Sequence, residues 1–220
     1  LVHQSMCPLG SCPLWIVRFA GFLFLGYKMG AMPRTPRNNI LAPDSVYHLI
    51  GRGNNKQQIF HDDEDYEKYM NLMLEAKTRH RVFLYHFTLM PNHIHFSAKP
   101  AGDGPSRFMH DLQMFYAQYY CRKYEFIGHV WQGRFKSLRM DSDMHVFACG
   151  NYIELNPVRA GLVQRPEDWL YSSYCVYAFG EVHLLVDIDP YYENFGRTPV
   201  ERQKHYQAYF VQTIVKTPVP

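Results

Sequence analysis

Runs of hydrophobic residues predict four β-strands between residues 45 and 140. Residues 45–51 alternate between apolar and polar side chains, as a strand with one buried face does. Residues 82–89 form a continuous apolar run, which is typical of a central strand covered on both faces. Residues 92–99 and 135–140 are the two remaining predicted strands.

Apolar residues three or four positions apart predict helices beside these strands. Asp62 or Asp63 caps the first helix, which places Tyr66 and Tyr69 on its buried face and ends near His80. A longer helix follows residues 92–99 and starts at about position 106. The first helix separates the first strand from the two middle strands, and the second helix separates these from the last strand. All four strands can join one sheet.

Two further helices are marked by capping residues. Asp141 or Ser142 caps a third helix, which should stop near Pro157 because proline cannot continue a helix. Thr198-Pro199-Val200-Glu201 forms a capping box with proline in the first turn. A final helix is therefore predicted up to about Val215.

The order strand, helix, strand, strand, helix, strand, helix predicts an α+β fold. We expect a ferredoxin-like four-stranded antiparallel sheet with helices on one face, followed by a C-terminal helical extension. Residues 1–31 are interpreted as a leader outside the folded domain, 32–180 as the domain and 181–220 as the extension. Within the leader, residues 14–27 are apolar but short for a membrane span and are interrupted by Arg18; a signal peptide is the alternative interpretation. The functional chain is expected to begin near Met29 or Met32.

The charge of the chain is close to balanced. The net charge is +3 with neutral histidines, and 23 basic residues face 20 acidic ones. Global charge therefore does not indicate a nucleic-acid partner, but a local group does. Residues 122–139 contain five basic side chains and one acidic side chain, Glu125; the basic ones are Arg122, Lys123, Arg134, Lys136 and Arg139. Such a patch can contact phosphates, and a solvated basic face would have the same composition.

The five cysteines include no C-x-x-C pair and are odd in number. This pattern argues against a disulfide framework and against a zinc–cysteine site. It fits a reducing compartment, and we expect the protein in the cytoplasm without a membrane partner.

Two histidines flank one apolar residue in His93-Ile94-His95, inside the third predicted strand. Side chains alternate across a strand, so both imidazoles point to one face. Two imidazoles one strand pitch apart can bind one divalent ion. The same tripeptide also occurs as ordinary surface or core histidines, so the motif alone leaves both interpretations open.

Tyr152 and Asn156 lie four residues apart on the third predicted helix and therefore share one helix face. A phenol ionises near pH 10, so a tyrosine nucleophile needs a neighbouring cation to become reactive. A metal held by the two histidines would supply that help, and Asn156 or Glu154 could complete its shell with an oxygen. Taken by itself, Tyr152 would be interpreted as a core residue.

Together these segments resemble the single-tyrosine HUH transposases, in which HUH stands for His, hydrophobic residue, His. The motif itself is Pro91-Asn92-His93-Ile94-His95. Two further blocks, residues 131–137 (WQGRFKS) and 152–161 (YIELNPVRAG), resemble the REP-associated tyrosine transposases, and Trp169 with Ser172-Ser173 continues the match. The resemblance covers roughly residues 45–174.

The resemblance implies a ferredoxin-like domain that cleaves single-stranded DNA, often beside a hairpin. Tyr152 would be the nucleophile and would leave a 5′-phosphotyrosine link and a free 3′-hydroxyl. His93 and His95 would hold Mg²⁺ or Mn²⁺, and Asn156 stands where relatives supply a third ligand. Imidazole is a softer ligand than those magnesium prefers, so manganese is expected to bind better.

The DNA contacts implied by this resemblance are expected at Arg134, Lys136 and Arg139. Two other functions remain open from the sequence. One is a domesticated relative that binds hairpins without cutting, and the other is a metal hydrolase in which Tyr152 is structural. The target DNA, the choice between monomer and dimer, and the role of the extension are not decided by the residues.

Overall fold

The computed structural model describes residues 15–19, 22–26, 45–101 and 105–216, with side chains described for 45–101 and 105–210. The chain divides into two compact units, Leu1–Pro36 and Arg37–Pro220. In the first unit, strands β1 (Trp15–Phe19) and β2 (Phe22–Gly26) form an antiparallel pair. The predicted start of the functional chain near Met29 or Met32 lies outside the described residues.

The second unit contains a four-stranded antiparallel sheet. Its strands are β3 (Val46–Arg52), β4 (Val82–Met90), β5 (His93–Pro100) and β6 (Lys136–Met140). They are arranged in the order β4-β5-β3-β6, and every neighbouring pair is antiparallel. With a helix after β3 and another after β5, this is the ferredoxin-like plan, and the predicted fold class is confirmed.

Four of the helices begin and end close to the predicted positions, and two short ones, Asn156–Arg159 and Tyr174–Phe179, were not predicted. In chain order, the helices are α1 (Asp63–His80), α2 (Pro105–Lys123), α3 (Asp143–Glu154), α4 (Asn156–Arg159), α5 (Tyr174–Phe179) and α6 (Pro199–Lys216). Short 3₁₀ segments span Asn54–Lys56, Pro166–Asp168 and Pro190–Phe195.

Side-chain caps fix where the helices start. Asp62 accepts a hydrogen bond from the Asp65 backbone N–H at α1. The predicted capping box of α6 forms in both directions, with 3.2 Å between Glu201 N and Thr198 Oγ1 and 3.2 Å between Thr198 N and Glu201 Oε2. Each bond satisfies a backbone donor that a helix start leaves without a partner.

One face of the sheet is apolar and packs against α1 and α2. We call it the first face. Its side chains are fully or almost fully buried and belong to the main hydrophobic core: Tyr47, Leu49, Leu84, Phe87, Leu89, Ile94, Phe96 and Ala98. Burial of this surface is the main force that joins sheet and helices.

The opposite face, here the second face, is buried as well but carries polar side chains. They are His48, His86, Thr88, His95 and Ser97. Helix α3 lies against this face, close enough that a Cβ on Gly150 would be 2.4 Å from the His86 ring. The expectation that the helices share one face was therefore wrong for α3, because the polar residues of the second face hold it through specific contacts.

Strand β4 lies at an edge of the sheet, so the prediction that residues 82–89 form a central strand was wrong. Its outer edge is nevertheless covered by a later part of the chain. Leu89 N donates to Tyr171 O, Ser173 N donates to Phe87 O, and Asp187 N donates to Leu84 O. Its apolar sequence reflects this cover, since a fully paired edge is as buried as a central strand.

The segment after residue 180 packs with the rest of the second unit. Tyr192, Tyr206 and Phe210 form an aromatic cluster with Tyr177 and with Phe147 of α3. Helix α3 is therefore enclosed between the second face of the sheet and the extension. None of the helices in the described part of the chain is long and apolar enough to span a membrane.

Candidate active site

The two histidines of the His-x-His motif lie on the inner strand β5. Both point to the second face, where Arg52 of β3 pairs with His93 and Ile50 pairs with His95. Their ring centroids are 4.9 Å apart at an angle of 80°. His95 is buried, while His93 at the end of the strand is partly exposed. The pair is thus held by a strand that has neighbours on both sides.

A hydrogen bond at Nδ1 orients each of these imidazoles. His93 Nδ1 lies 2.6 Å from Asn92 Oδ1, and His95 Nδ1 lies 2.9 Å from His48 Nε2. An amide oxygen only accepts, so neutral His93 carries its proton on Nδ1 and its lone pair on Nε2. For His95, the same tautomer follows when His48 Nε2 accepts and His48 keeps its proton on Nδ1.

Burial keeps these rings neutral. Together with a smaller contribution from the neighbouring His145, it lowers the pKa of His48 to about 4. It lowers the pKa of His93 to about 4 as well, with a further contribution from Arg52. The pKa of His95 is well below its ordinary value for the same reasons. Neutral imidazole is the form that coordinates a cation.

Tyr152 projects from α3 toward the histidines. Its ring centroid lies 6.1 Å from that of His95 and 6.1 Å from that of His48. The side chain is 44% exposed, and its hydroxyl makes no hydrogen bond with the residues that the structure describes. The guanidinium carbon of Arg159 lies 5.1 Å from the ring centroid. A guanidinium at this distance makes a cation–π contact with the ring.

Asn156 closes the end of the tyrosine helix. Its amide nitrogen donates to the carbonyls of Tyr152 at 2.9 Å and Ile153 at 3.2 Å. The predicted role of Asn156 as a third ligand stays a prediction. The alternative ligand, Glu154, is buried on the other side of α3, where His86 and Tyr206 contact its two oxygens.

The three basic residues expected to bind DNA are exposed but do not share one face. Lys136 pairs with Ile50 and points to the second face, with the histidines. Arg139 pairs with Tyr47, points to the first face and forms an exposed 2.9 Å ion pair with Asp141. Arg134 lies just before β6 and is exposed.

Three residues at this site were not singled out from the sequence: His48, Arg52 and Arg159. His48 and Arg52 alternate along β3 on the same side as Ile50, so the period of two could have placed them together. Arg159 follows Tyr152 by seven residues, which is two helical turns and hence the same side. The relation of His48 and Arg52 to His93 and His95 depends on strand pairing, and that of Arg159 depends on helix packing; no local pattern encodes either.

The donor set fits a divalent ion in part. His93 and His95 each offer one Nε2 lone pair, and neither atom has a hydrogen bond with the described residues. Within the described ranges, no group of three His, Cys, Asp or Glu side chains is arranged as a metal site. Any further ligands would be oxygens from an amide, water or a phosphate.

A histidine pair on an inner strand of a ferredoxin-like sheet, with a tyrosine on a helix against it, defines the single-tyrosine HUH arrangement. The sequence model of the IS200-like transposases matches residues 42–156, just over half of the chain. The protein belongs to this family.

A solved REP-associated tyrosine transposase bound to a REP hairpin has a similar fold. It matches with a TM-score of 0.55 and 17% identity, over 73% of this chain and 93% of that chain. A protein described as a transposase of Deinococcus radiodurans R1 matches at 18% identity over 56% of this chain and 96% of that chain. The TM-score of this second match is 0.38. No curated protein matches the chain.

Proposed function

We propose that this protein cuts and rejoins single-stranded DNA through a covalent bond between Tyr152 and a 5′-phosphate. The observation that carries the proposal is the contact of Tyr152 with His48 and His95, at 6.1 Å between ring centroids in each case. It places an exposed phenol beside two neutral imidazoles on a chain of the IS200-like transposase family.

In the cleavage step, the Tyr152 oxygen attacks the phosphorus of a phosphodiester. The new O–P bond replaces the bond from phosphorus to the 3′-oxygen, which leaves as a hydroxyl after taking up a proton. The phenol loses its own proton to solvent or to a neighbouring base. The reverse reaction rejoins the strand, so the energy of the phosphodiester is kept in the phosphotyrosine.

His93 and His95 are the proposed metal ligands, with Asn156 as the third. A bound Mn²⁺ or Mg²⁺ would polarise the phosphate oxygens and offset the charge that develops in the transition state. Asn92 and His48 hold the Nδ1 hydrogens of the two rings and so direct their Nε2 atoms to the ion. Arg159 stacks on Tyr152 and offsets negative charge on the phenolate.

The proposed substrate is single-stranded DNA beside a hairpin, as suggested by the fold shared with the hairpin-bound transposase. Lys136 and Arg52 lie on the same face as the histidines and are the nearest candidates for phosphate contacts. Arg134, exposed just before β6, is a further candidate, whereas Arg139 points to the first face and pairs with Asp141. Phosphate contacts of this kind give affinity without base specificity.

A denaturing-gel assay tests the proposal. The full chain would be incubated with end-labelled single-stranded DNA that carries hairpins, with Mn²⁺ or with a chelator. The expected result is a metal-dependent protein–DNA adduct that is lost in Tyr152→Phe. Tyr119→Phe on α2 is a matched control, because it removes a hydroxyl from the other side of the sheet.

Two outcomes would contradict the proposal. Cleavage that persists in Tyr152→Phe without an adduct would indicate a metal hydrolase that activates water. Hairpin binding without cleavage of any tested DNA would indicate a binding protein.

A further inference from the structure

A buried group of charged side chains lies behind the tyrosine helix and is not used by the proposed chemistry. His86 of β4 contacts Glu154 of α3, with 2.9 Å between His86 Nδ1 and Glu154 Oε1. On its other side, His86 Nε2 lies 3.3 Å from Asp189 Oδ2 of the extension. All three side chains are almost completely buried. We call these three residues the buried triad.

Hydroxyl groups complete the hydrogen bonds of Glu154. Ser173 Oγ donates to Oε1 at 2.5 Å, and the Tyr206 hydroxyl donates to Oε2 at 2.5 Å. Asp189 accepts from the Tyr191 backbone N–H at 2.8 Å. Besides His86, both carboxylates of the buried triad are therefore held by residues that follow Tyr152 in the chain. A buried charge of this kind is tolerated only when its partners are in place.

The buried triad and the tyrosine act on opposite sides of one helix. Residues two apart on an α-helix point about 200° from each other. Tyr152 faces His48 and His95, whereas Glu154 faces His86 and the extension. Rotation of α3 about its axis would break the Glu154 bonds before it moved Tyr152 far.

Gly150 sets the distance between the same helix and the sheet. A Cβ at this position would lie 2.4 Å from His86 Cδ2 and 2.5 Å from His86 Nε2. The helix backbone therefore rests on the imidazole, and the ring holds two carboxylates at the same time. The distance of α3 from the sheet and the rotation of α3 about its axis therefore both depend on His86.

We propose that His86, Glu154 and Asp189 are positioning residues, which hold Tyr152 against His93 and His95 through α3. The inference rests on the proposed tyrosine chemistry and gives the extension a defined part in it. Residues beyond 180 would then be needed for the rate of cleavage although they do not touch the DNA phosphate.

Glu154→Gln is the sharpest variant, since it keeps the shape of the side chain and removes its charge. The single-turnover rate of adduct formation should fall by about 10- to 100-fold, while the dissociation constant for hairpin DNA changes by less than about twofold. Tyr206→Phe removes one hydrogen bond and should give a smaller loss in the same direction. Glu181→Gln, an exposed carboxylate of the extension, is the control and should leave both values unchanged.

Hydrogen exchange provides a readout that does not depend on activity. In Glu154→Gln and Tyr206→Phe, the amides of α3 should exchange faster while those of β3 and β5 keep their protection. A normal α3 exchange in both variants would overturn the inference, as would a loss of rate that is matched by an equal loss of DNA affinity. If wild-type protein formed no adduct, the proposed function would fail, and the exchange data would still decide whether the buried triad holds the helix.

Discussion

The two faces of the sheet are both buried, but they carry side chains of opposite chemistry. On β5, Ile94 and Phe96 enter an apolar core, whereas His95 between them meets His48 and Tyr152. Apolar packing is non-directional and tolerates many sequences of suitable volume. Hydrogen-bonded polar groups fix distances and tautomers instead. The first face therefore determines that the domain folds, and the second face determines where the reactive groups stand.

Substitutions at the neighbouring residues His95 and Phe96 of β5 measure these two contributions separately. They should give the largest effects. Phe96→Ala should lower the free energy of unfolding by roughly 3–5 kcal/mol, because it opens a cavity in the first face. His95→Ala should cost about 1–3 kcal/mol through the lost bond to His48 but reduce adduct formation by more than about 100-fold. Urea unfolding and the adduct assay measure the two quantities.

At a temperature where both variants are folded, Phe96→Ala should still form the adduct. Equal losses of activity in the two variants would mean that the faces are not distinct in function.

Between pH 7 and pH 9, below the range in which tyrosines titrate, the pH dependence of stability should come mainly from His86 on the second face. Glu154 and Asp189 raise the pKa of His86 to about 9 against the opposing effect of burial, while the Tyr177 ring stacks on its imidazole. A raised pKa stabilises the folded state at pH values below the ordinary histidine value near 6.5, and this contribution disappears as pH rises through 9. The contribution of His86 to the free energy of unfolding should therefore fall by roughly 2 kcal/mol between pH 7 and pH 9.

Urea unfolding at several pH values measures this slope. Phe96→Leu on the first face should keep the wild-type slope above pH 8, because it changes no titrating group. Glu154→Gln should flatten it, since His86 then loses a charged partner. Parallel slopes in all three proteins would show that His86 does not carry the effect.

The smallest expected effect distinguishes two basic residues of β6. Lys136→Gln should weaken binding of single-stranded DNA a few-fold and lower the salt slope by about one, because Lys136 lies on the face of the histidines. Arg139→Gln should change neither, since Arg139 is paired with Asp141 on the other face. Titrations at several salt concentrations test the difference. A reduced salt slope in Arg139→Gln would place the DNA across the edge of the sheet.

The local elements of the fold could be predicted from the sequence because their signals are local. The capping box at Thr198 and Glu201 and the strand that carries His93 and His95 lie where the patterns placed them. The covered edge of β4 could not be predicted in this way. Leu84 and Asp187 are 103 residues apart, and their pairing leaves no periodic signal.

The candidate site also contains residues that the sequence predicts and residues that it does not. The proposed metal ligands His93 and His95 and the proposed nucleophile Tyr152 lie in short motifs that can be recognised in the chain. The residues that orient them, His48 and Glu154, lie 47 and 68 positions away from their partners His95 and His86. The sequence predicts Glu154 as a possible ligand, and only the packing of α3 shows it turned toward the extension.

The hydrogen bond between Tyr206 and Glu154 can form only after most of the chain has been synthesised. Tyr206 is synthesised 52 residues after its partner, so the tyrosine helix leaves the ribosome well before the contact that holds it. Pairings distant in sequence form late because the chain between them must first close a long loop. A nascent chain therefore contains His93, His95 and Tyr152 long before the contact between Tyr206 and Glu154 holds α3 in place against the sheet. An activity that breaks DNA would then be acquired at the last stage of folding.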